Sequence, residues 1–123
     1  MKKENKILNI SKAFAIRIIR LFQYLQNEKK EFVLSKQLLR AGTSIGANVR
    51  ESVHAQSSDD FVHKLNISLK ESYETEYWIE LLYETGYLNE QQFQSIMSDN
   101  KEITATLVKI IKTSKARNDA KEK

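Results

Sequence analysis

Apolar side chains recur at steps of three and four through four stretches of this chain, and short polar breaks separate the stretches. In the first, Phe14, Ile18, Leu21 and Leu25 share one helix face, with Ala15, Ile19 and Phe22 as a second apolar line beside it. Arg17, Arg20 and Gln23 fall on the polar side. The spacing predicts a first helix over about 11–30. In the second stretch, Leu38, Ala41, Ile45, Val49 and Ser52 or Val53 form the buried line of a helix over about 36–56, with Ser35 placed to cap it. Gly42 and Gly46 sit four apart inside that helix. Glycine costs a helix about 1 kcal/mol relative to alanine. The pair marks either close approach by another helix or a tolerated weak spot.

The third helix is expected over about 59–85. Ser57 with Asp60 resembles a capping box, and the acids Asp59 and Asp60 suit the positive end of the helix dipole. Gly86 is the expected stop, and Asn89 is placed to cap the fourth helix, about 90–114. There Phe93, Ile96, Met97, Ile103, Leu107 and Ile110 keep a near-heptad spacing with Asn100 in the seam. Residues 115–123 are charged and expected to fray. Helices of this length joined by short loops pack as an antiparallel, up-down-up-down four-helix bundle, one all-α domain over 1–114. Helix three carries Tyr73, Tyr77, Trp78, Ile79, Leu81, Leu82 and Tyr83 almost all round, and helix one has two apolar lines. That is more apolar surface than a lone bundle buries, so the chain is expected to be a homo-oligomer.

Composition agrees. A chain of 123 residues with no proline and 3 glycines disfavours turn-rich β architecture. Without cysteine there are no disulfides, thiol chemistry or Cys-bound zinc. No long uncharged apolar run suggests a membrane span, and Lys12, Arg17 and Arg20 break the segment where a secretory signal would lie. A cytoplasmic location is expected.

The net charge of +4 is unevenly spread: residues 1–30 carry +6 and residues 59–88 carry −5. Lys12, Arg17, Arg20, Lys29 and Lys30, with Lys109, Lys112, Lys115 and Arg117 near the other terminus, are the candidate phosphate contacts. The commoner meaning of such runs is a solvated face. No aromatic platform interleaves with them, so contact with phosphates rather than bases is expected.

Catalytic chemistry has weak support. Glu51 with His54 and Asp60 with His63 have the spacing of di-iron bundle ligands, but both pairs fall near one end of the bundle, so no metal or other cofactor is expected. Glu71 and Glu74 beside Tyr77 and Trp78 are a conceivable acid–base pair without accompanying motifs, and no catalytic residue is assigned. On helix two, Ala41, Ser44, Asn48, Ser52 and Ala55 form a stripe of small and hydrogen-bonding residues, flanked by Arg40 and Glu51. With Glu71 and Glu74 as partners, Arg40, Ser44, Asn48 and Glu51 are expected to form a structural polar network that fixes register, in preference to a ligand site.

The run from Gln37 to Glu51 resembles the signature of the small four helix bundle proteins, also called 23S ribosomal RNA intervening-sequence proteins. Gln37, Leu38, Arg40, Ala41, Ser44, Ile45, Asn48 and Glu51 match, Val49 replaces isoleucine, and Ser52 stands where glycine is usual. Phe61, Leu65, Leu69, Ser72, Glu74 and Gly86-Tyr87-Leu88 also fit, so the resemblance spans roughly residues 10–112. It implies an antiparallel bundle assembled into a homopentameric ring. Some members are encoded within intervening sequences of bacterial 23S ribosomal RNA genes. A branch similar in fold, the accessory proteins of diversity-generating retroelements, binds nucleic acid and a reverse transcriptase. The resemblance implies no enzymatic activity. The expected function is non-enzymatic binding of RNA or DNA, structured RNA first. The alternative is a protein-binding assembly scaffold without nucleic-acid binding, using the tyrosines of helix three or the basic ring surface.

Overall fold

A computed structural model of the chain describes residues 2–122, with side chains over 5–121. Four helices form an all-α bundle: α1 (Lys2–Asn27), α2 (Leu34–Ser52), α3 (Ser58–Glu84) and α4 (Glu90–Glu122). Each packs on its neighbours in chain order, and α1 closes against α4. The pairings give the register. Arg17 meets Asp99 across α1 and α4, the Ser68 hydroxyl donates to the Ile45 carbonyl across α3 and α2, and Asn100 donates to the Ser72 carbonyl across α4 and α3.

The core is built from the expected lines. Phe14, Ile18 and Leu25 of α1, Leu38, Ala41, Ile45 and Val49 of α2, Leu65, Ile79 and Leu82 of α3, and Ile103 and Leu107 of α4 are all buried. Ser52 takes the last inward position of α2, while Val53 is exposed. Close approach explains the glycine pair. A Cβ at Gly42 would lie 2.8 Å from Ile18 Cγ1, and one at Gly46 would lie 3.3 Å from the Ser11 carbonyl oxygen. Gly42 is therefore where α1 and α2 interdigitate, and adding volume there forces a core side chain off its rotamer.

The helix bounds differ from the expected ones for identifiable reasons. Helix α1 begins at Lys2 rather than 11, because Ile7 and Ser11 carry the buried line backwards through a segment rich in lysine and asparagine. It ends at Asn27, three residues short of the expected end, and Lys30 adopts a left-handed φ of 55° in the loop. Helix α4 continues to Glu122, so the segment expected to fray is helical. Its end is held near the start of α3, where the Asn118 amide donates to Asp59. The ends of the expected domain and tail, Met1 and Lys123, lie outside the described residues.

The start of α2 departs most from expectation. Ser35 is not the cap: it is buried one residue inside the helix. The Glu31 carboxylate instead accepts the backbone N–H groups of Val33, Leu34 and Ser35 at 3.1, 3.0 and 2.6 Å, while the Ser35 hydroxyl donates to the Glu31 carbonyl. A carboxylate here satisfies donors that have no intrahelical partner and meets the positive end of the helix dipole. Burial by itself would raise this carboxyl, but the N–H groups of Leu34, Ser35 and Val33, with the Ser35 side chain, hold it below its ordinary value. Helix α2 stops at Ser52, where tighter bonds from Val53, His54 and Ala55 to carbonyls three residues back turn the chain.

The other two junctions follow the expected chemistry. Ser57 accepts the Asp60 N–H at the start of α3. Gly86, at φ 89°, lets Tyr87 donate back to the Leu82 carbonyl. Asn89 and Gln92 cap α4 reciprocally, each side chain accepting the other's backbone N–H at 2.8 and 2.9 Å.

Candidate functional site: a cationic cleft and two apolar faces

The expected polar network resolves into separate parts. Arg40 of α2 forks onto Glu71 and Glu74 of α3, at 3.1 Å for Glu71, and Glu74 also accepts the Trp78 indole N–H at 3.0 Å. The guanidinium thus occupies both carboxylates and the indole adds to Glu74, a clamp between two helices. Ser44 and Asn48 bond only backwards along their own helix, to the carbonyls of Arg40 and Ser44. Glu51 does not join the clamp; it pairs with Lys64 at 3.4 Å. Half the Arg40 side chain is exposed, so the clamp sits at the surface of the α2–α3 seam.

His54 and His63 are exposed, and the Asp60 carboxylate accepts the Gln56 N–H beside its own helix start. Among the described residues, no group of three or more His, Asp or Glu side chains is arranged to hold a metal ion.

The nine candidate phosphate contacts are all exposed, but the structure does not gather them into one patch. Lys29 and Lys30 lie in the α1–α2 loop, at the end of the bundle where α4 begins. Lys109 lines a shallow groove with Lys6, near the start of α1. Arg117 lines another with Ser57 and Ser58, at the α2–α3 loop. Along α4, some 28 residues separate these ends, roughly 40 Å of helix. On α1, Lys12 sits about 140° around the helix from Arg17, facing away from α4. Arg17 is also committed, to Asp99 at 2.6 Å and to the Ser95 hydroxyl at 3.0 Å.

Arg17 and Arg20 nevertheless share a feature that the sequence did not reveal. A cleft of about 670 Å³ opens between α1 and the first turns of α4, and its polar lining is Arg17, Arg20, Tyr24, Gln91, Gln92 and Ser95. Leu21, Leu88 and Ile96 give it an apolar floor. Arg20 and Tyr24 are four apart on one helix face, so an aromatic ring does stand beside the cations, contrary to expectation. The signal was present as i, i+4 spacing, but the α4 wall that makes the cleft concave lies more than sixty residues away in the chain.

Two apolar faces remain open. Ile16 and Ile19 of α1 are 49% and 41% exposed, and Phe32 and Val33 of the following loop 50% and 71%. On α3, Tyr73 and Tyr77 are 52% and 54% exposed. The apolar side chains of α3 divide by direction: Ile79 and Leu82 face the core, Trp78, Leu81 and Tyr83 are half-buried, and Tyr73 and Tyr77 face outward.

Fold and surface together define a small all-α bundle with exposed apolar faces; among the described residues, no helix is long and apolar enough to span a bilayer. The sequence pattern of the 23S rRNA-intervening sequence proteins matches residues 3–109, and the chain belongs to that family. Its fold is similar to the crystal structure of a protein of unknown function from the S23 ribosomal protein family of Bacteroides thetaiotaomicron VPI-5482. The two are 55% identical with a TM-score of 0.89, over 89% of this chain and 98% of that one. Among curated proteins no relative matches.

Proposed function

We propose that this chain is a non-enzymatic binding protein that assembles through its apolar faces and holds nucleic acid, structured RNA first, by phosphate contacts. The observation that carries the reading is the combination of two open apolar faces with cations split between the ends of the subunit. One subunit offers no continuous cationic footprint. An assembly that covers Ile19, Tyr73 and Tyr77 would repeat the split cations at fixed spacing, and repeated weak contacts gain by avidity. The register pairs Arg17 with Asp99, Ile45 with Ser68 and Ser72 with Asn100 support an antiparallel up-down-up-down path. A ring of five is the assembly that the family resemblance implies. A cytoplasmic location fits a partner of this kind.

The test is binding of the assembled protein to a structured RNA across a salt series. A linear fall of log affinity with log salt, several units steep, supports phosphate contact. A flat series, or no binding at low salt, rejects it. A second reading has its own observation: Tyr73 and Tyr77 are of the type that anchors protein interfaces, so α3 would dock a protein partner. A defined protein partner that retains the assembly and excludes RNA would favour that reading.

A further inference from the structure

We propose that the cleft between α1 and the start of α4 is a nucleotide pocket: it takes one unstacked nucleotide of a single-stranded RNA segment, with the flanking phosphodiester at Arg20 and the base against Tyr24. The proposal deepens the RNA-binding reading and rests on it.

Size and shape fit first. The cleft is about 670 Å³, inside the range of roughly 300–1,000 Å³ typical of small-ligand sites. Its lining divides as a nucleotide does. Leu21, Leu88 and Ile96 present an apolar floor, and Tyr24 adds an aromatic ring at the end away from Arg17. Base–aromatic stacking is tolerant of sequence because every base has a π-face.

Charge points to a phosphodiester. Arg17 is neutralised by Asp99 and held in place by the Ser95 hydroxyl, so it offers a fixed fork with little net charge. Arg20 makes no ion pair with any described residue. The net charge of the three groups is one positive, which suits the single negative charge of a phosphodiester better than a dianionic terminal phosphate. Base edges have partners too. The Gln92 carbonyl oxygen is spent on the Asn89 N–H, which pins that side chain and leaves its NH₂ to donate, and Gln91 is exposed at the rim. A duplex keeps its bases stacked and presents mainly phosphates and sugars, whereas a single strand can splay a base into such a cleft.

The experiment uses the full chain in its native assembly. The probes are a dinucleoside monophosphate, which carries one phosphodiester, inorganic phosphate, a single-stranded RNA oligomer, and a fully paired duplex of the same length. Binding is read by amide chemical shifts and by RNA affinity, in wild type, Arg20→Gln, Tyr24→Leu and Tyr24→Phe. The pocket predicts that the dinucleoside shifts Tyr24, Gln91, Gln92 and Ser95, and that inorganic phosphate at the same concentration does not. It predicts that Tyr24→Leu lowers single-strand affinity roughly 10-fold and leaves duplex affinity alone, while Tyr24→Phe restores it. Arg20→Gln should weaken dinucleoside binding by a similar factor. RNA binding that is steeply salt-dependent yet indifferent to Tyr24→Leu and Arg20→Gln overturns the pocket and leaves surface phosphate binding standing. A dinucleoside held in the cleft without any binding of longer RNA keeps the pocket, as a site for a free nucleotide, and overturns the RNA reading. If neither probe nor polymer binds, both fall.

Discussion

The two ends of the bundle carry similar numbers of the candidate cations, Arg17, Arg20, Lys29 and Lys30 at one and Lys109, Lys112, Lys115 and Arg117 at the other, in different structural settings. At one end, where α1 stops and α4 starts, Arg17 and Arg20 stand with Tyr24 in a concave cleft, and the loops are locked by a buried carboxylate and a reciprocal Asn89–Gln92 cap. At the other, Arg117 lines an open groove beside the α2–α3 loop, Lys109 lines a shallow one with Lys6, and Lys112 and Lys115 stand exposed between them. The start of α3 is held there by Ser57 accepting the Asp60 N–H and Asp60 accepting the Gln56 N–H. Counting cations does not distinguish the ends. What differs is whether neighbouring elements give the cation a wall, an aromatic ring and a fixed partner. Exposed lysines can supply long-range attraction, while a walled arginine can supply selectivity.

The largest effect that would sharpen this contrast is on RNA affinity. Replacing Lys109, Lys112 and Lys115 together by glutamine is expected to lower low-salt affinity roughly 100-fold and to flatten the salt slope by about 2–3 units, equally for all RNAs. Filter binding across a salt series measures it; a loss confined to particular sequences would break the contrast. The next effect is on stability. Glu31→Ala leaves three backbone donors at the start of α2 without their acceptor and is expected to cost about 2 kcal/mol in chemical denaturation. Ser57→Ala removes one bond at the opposite end and should cost about 1 kcal/mol. Equal losses would show that the two ends are no differently locked.

The smallest effect is a pH dependence. The Glu31 carboxyl is lowered in the folded chain by the N–H groups it accepts. Its contribution is therefore complete above the ordinary carboxylate value of the unfolded chain and is lost as pH falls through the lower folded value. Glu31→Gln should be less stable than wild type at pH 7, with the gap closing below the ordinary carboxylate range. A gap that stayed constant to low pH would mean that the charge contributes nothing.

Much of this fold is written in local spacing. The inward lines of α2 and α4 follow steps of three and four, and Ser57, Gly86 and Asn89 act where their chemistry places them. Other features were not legible. The role of Glu31 is local, since its partners are the N–H groups of residues 33–35, but a glutamate ahead of a helix start has no spacing that marks it as the cap. Ser35 has the chemistry of a cap but lies inside the helix, its N–H donating to the Glu31 carboxylate and its hydroxyl to the Glu31 carbonyl. Helix α1 was cut short because lysines and asparagines mask the inward Ile7, and α4 because its last turns are polar although they still continue the helix. The cleft was invisible because its walls lie far apart in the chain: Arg20 and Tyr24 declare one, and Gln91, Gln92 and Ser95 supply the other only after folding.

The central claim is that an assembled bundle binds RNA through phosphates, and the most direct measurement is mass by light scattering. Protein stripped of nucleic acid would be sized with and without a structured RNA, at two salt concentrations. The account predicts a particle of several subunits that gains mass with RNA at low salt and returns to its original mass at high salt. A monomer, or an assembly whose mass ignores RNA at both salt concentrations, would contradict it.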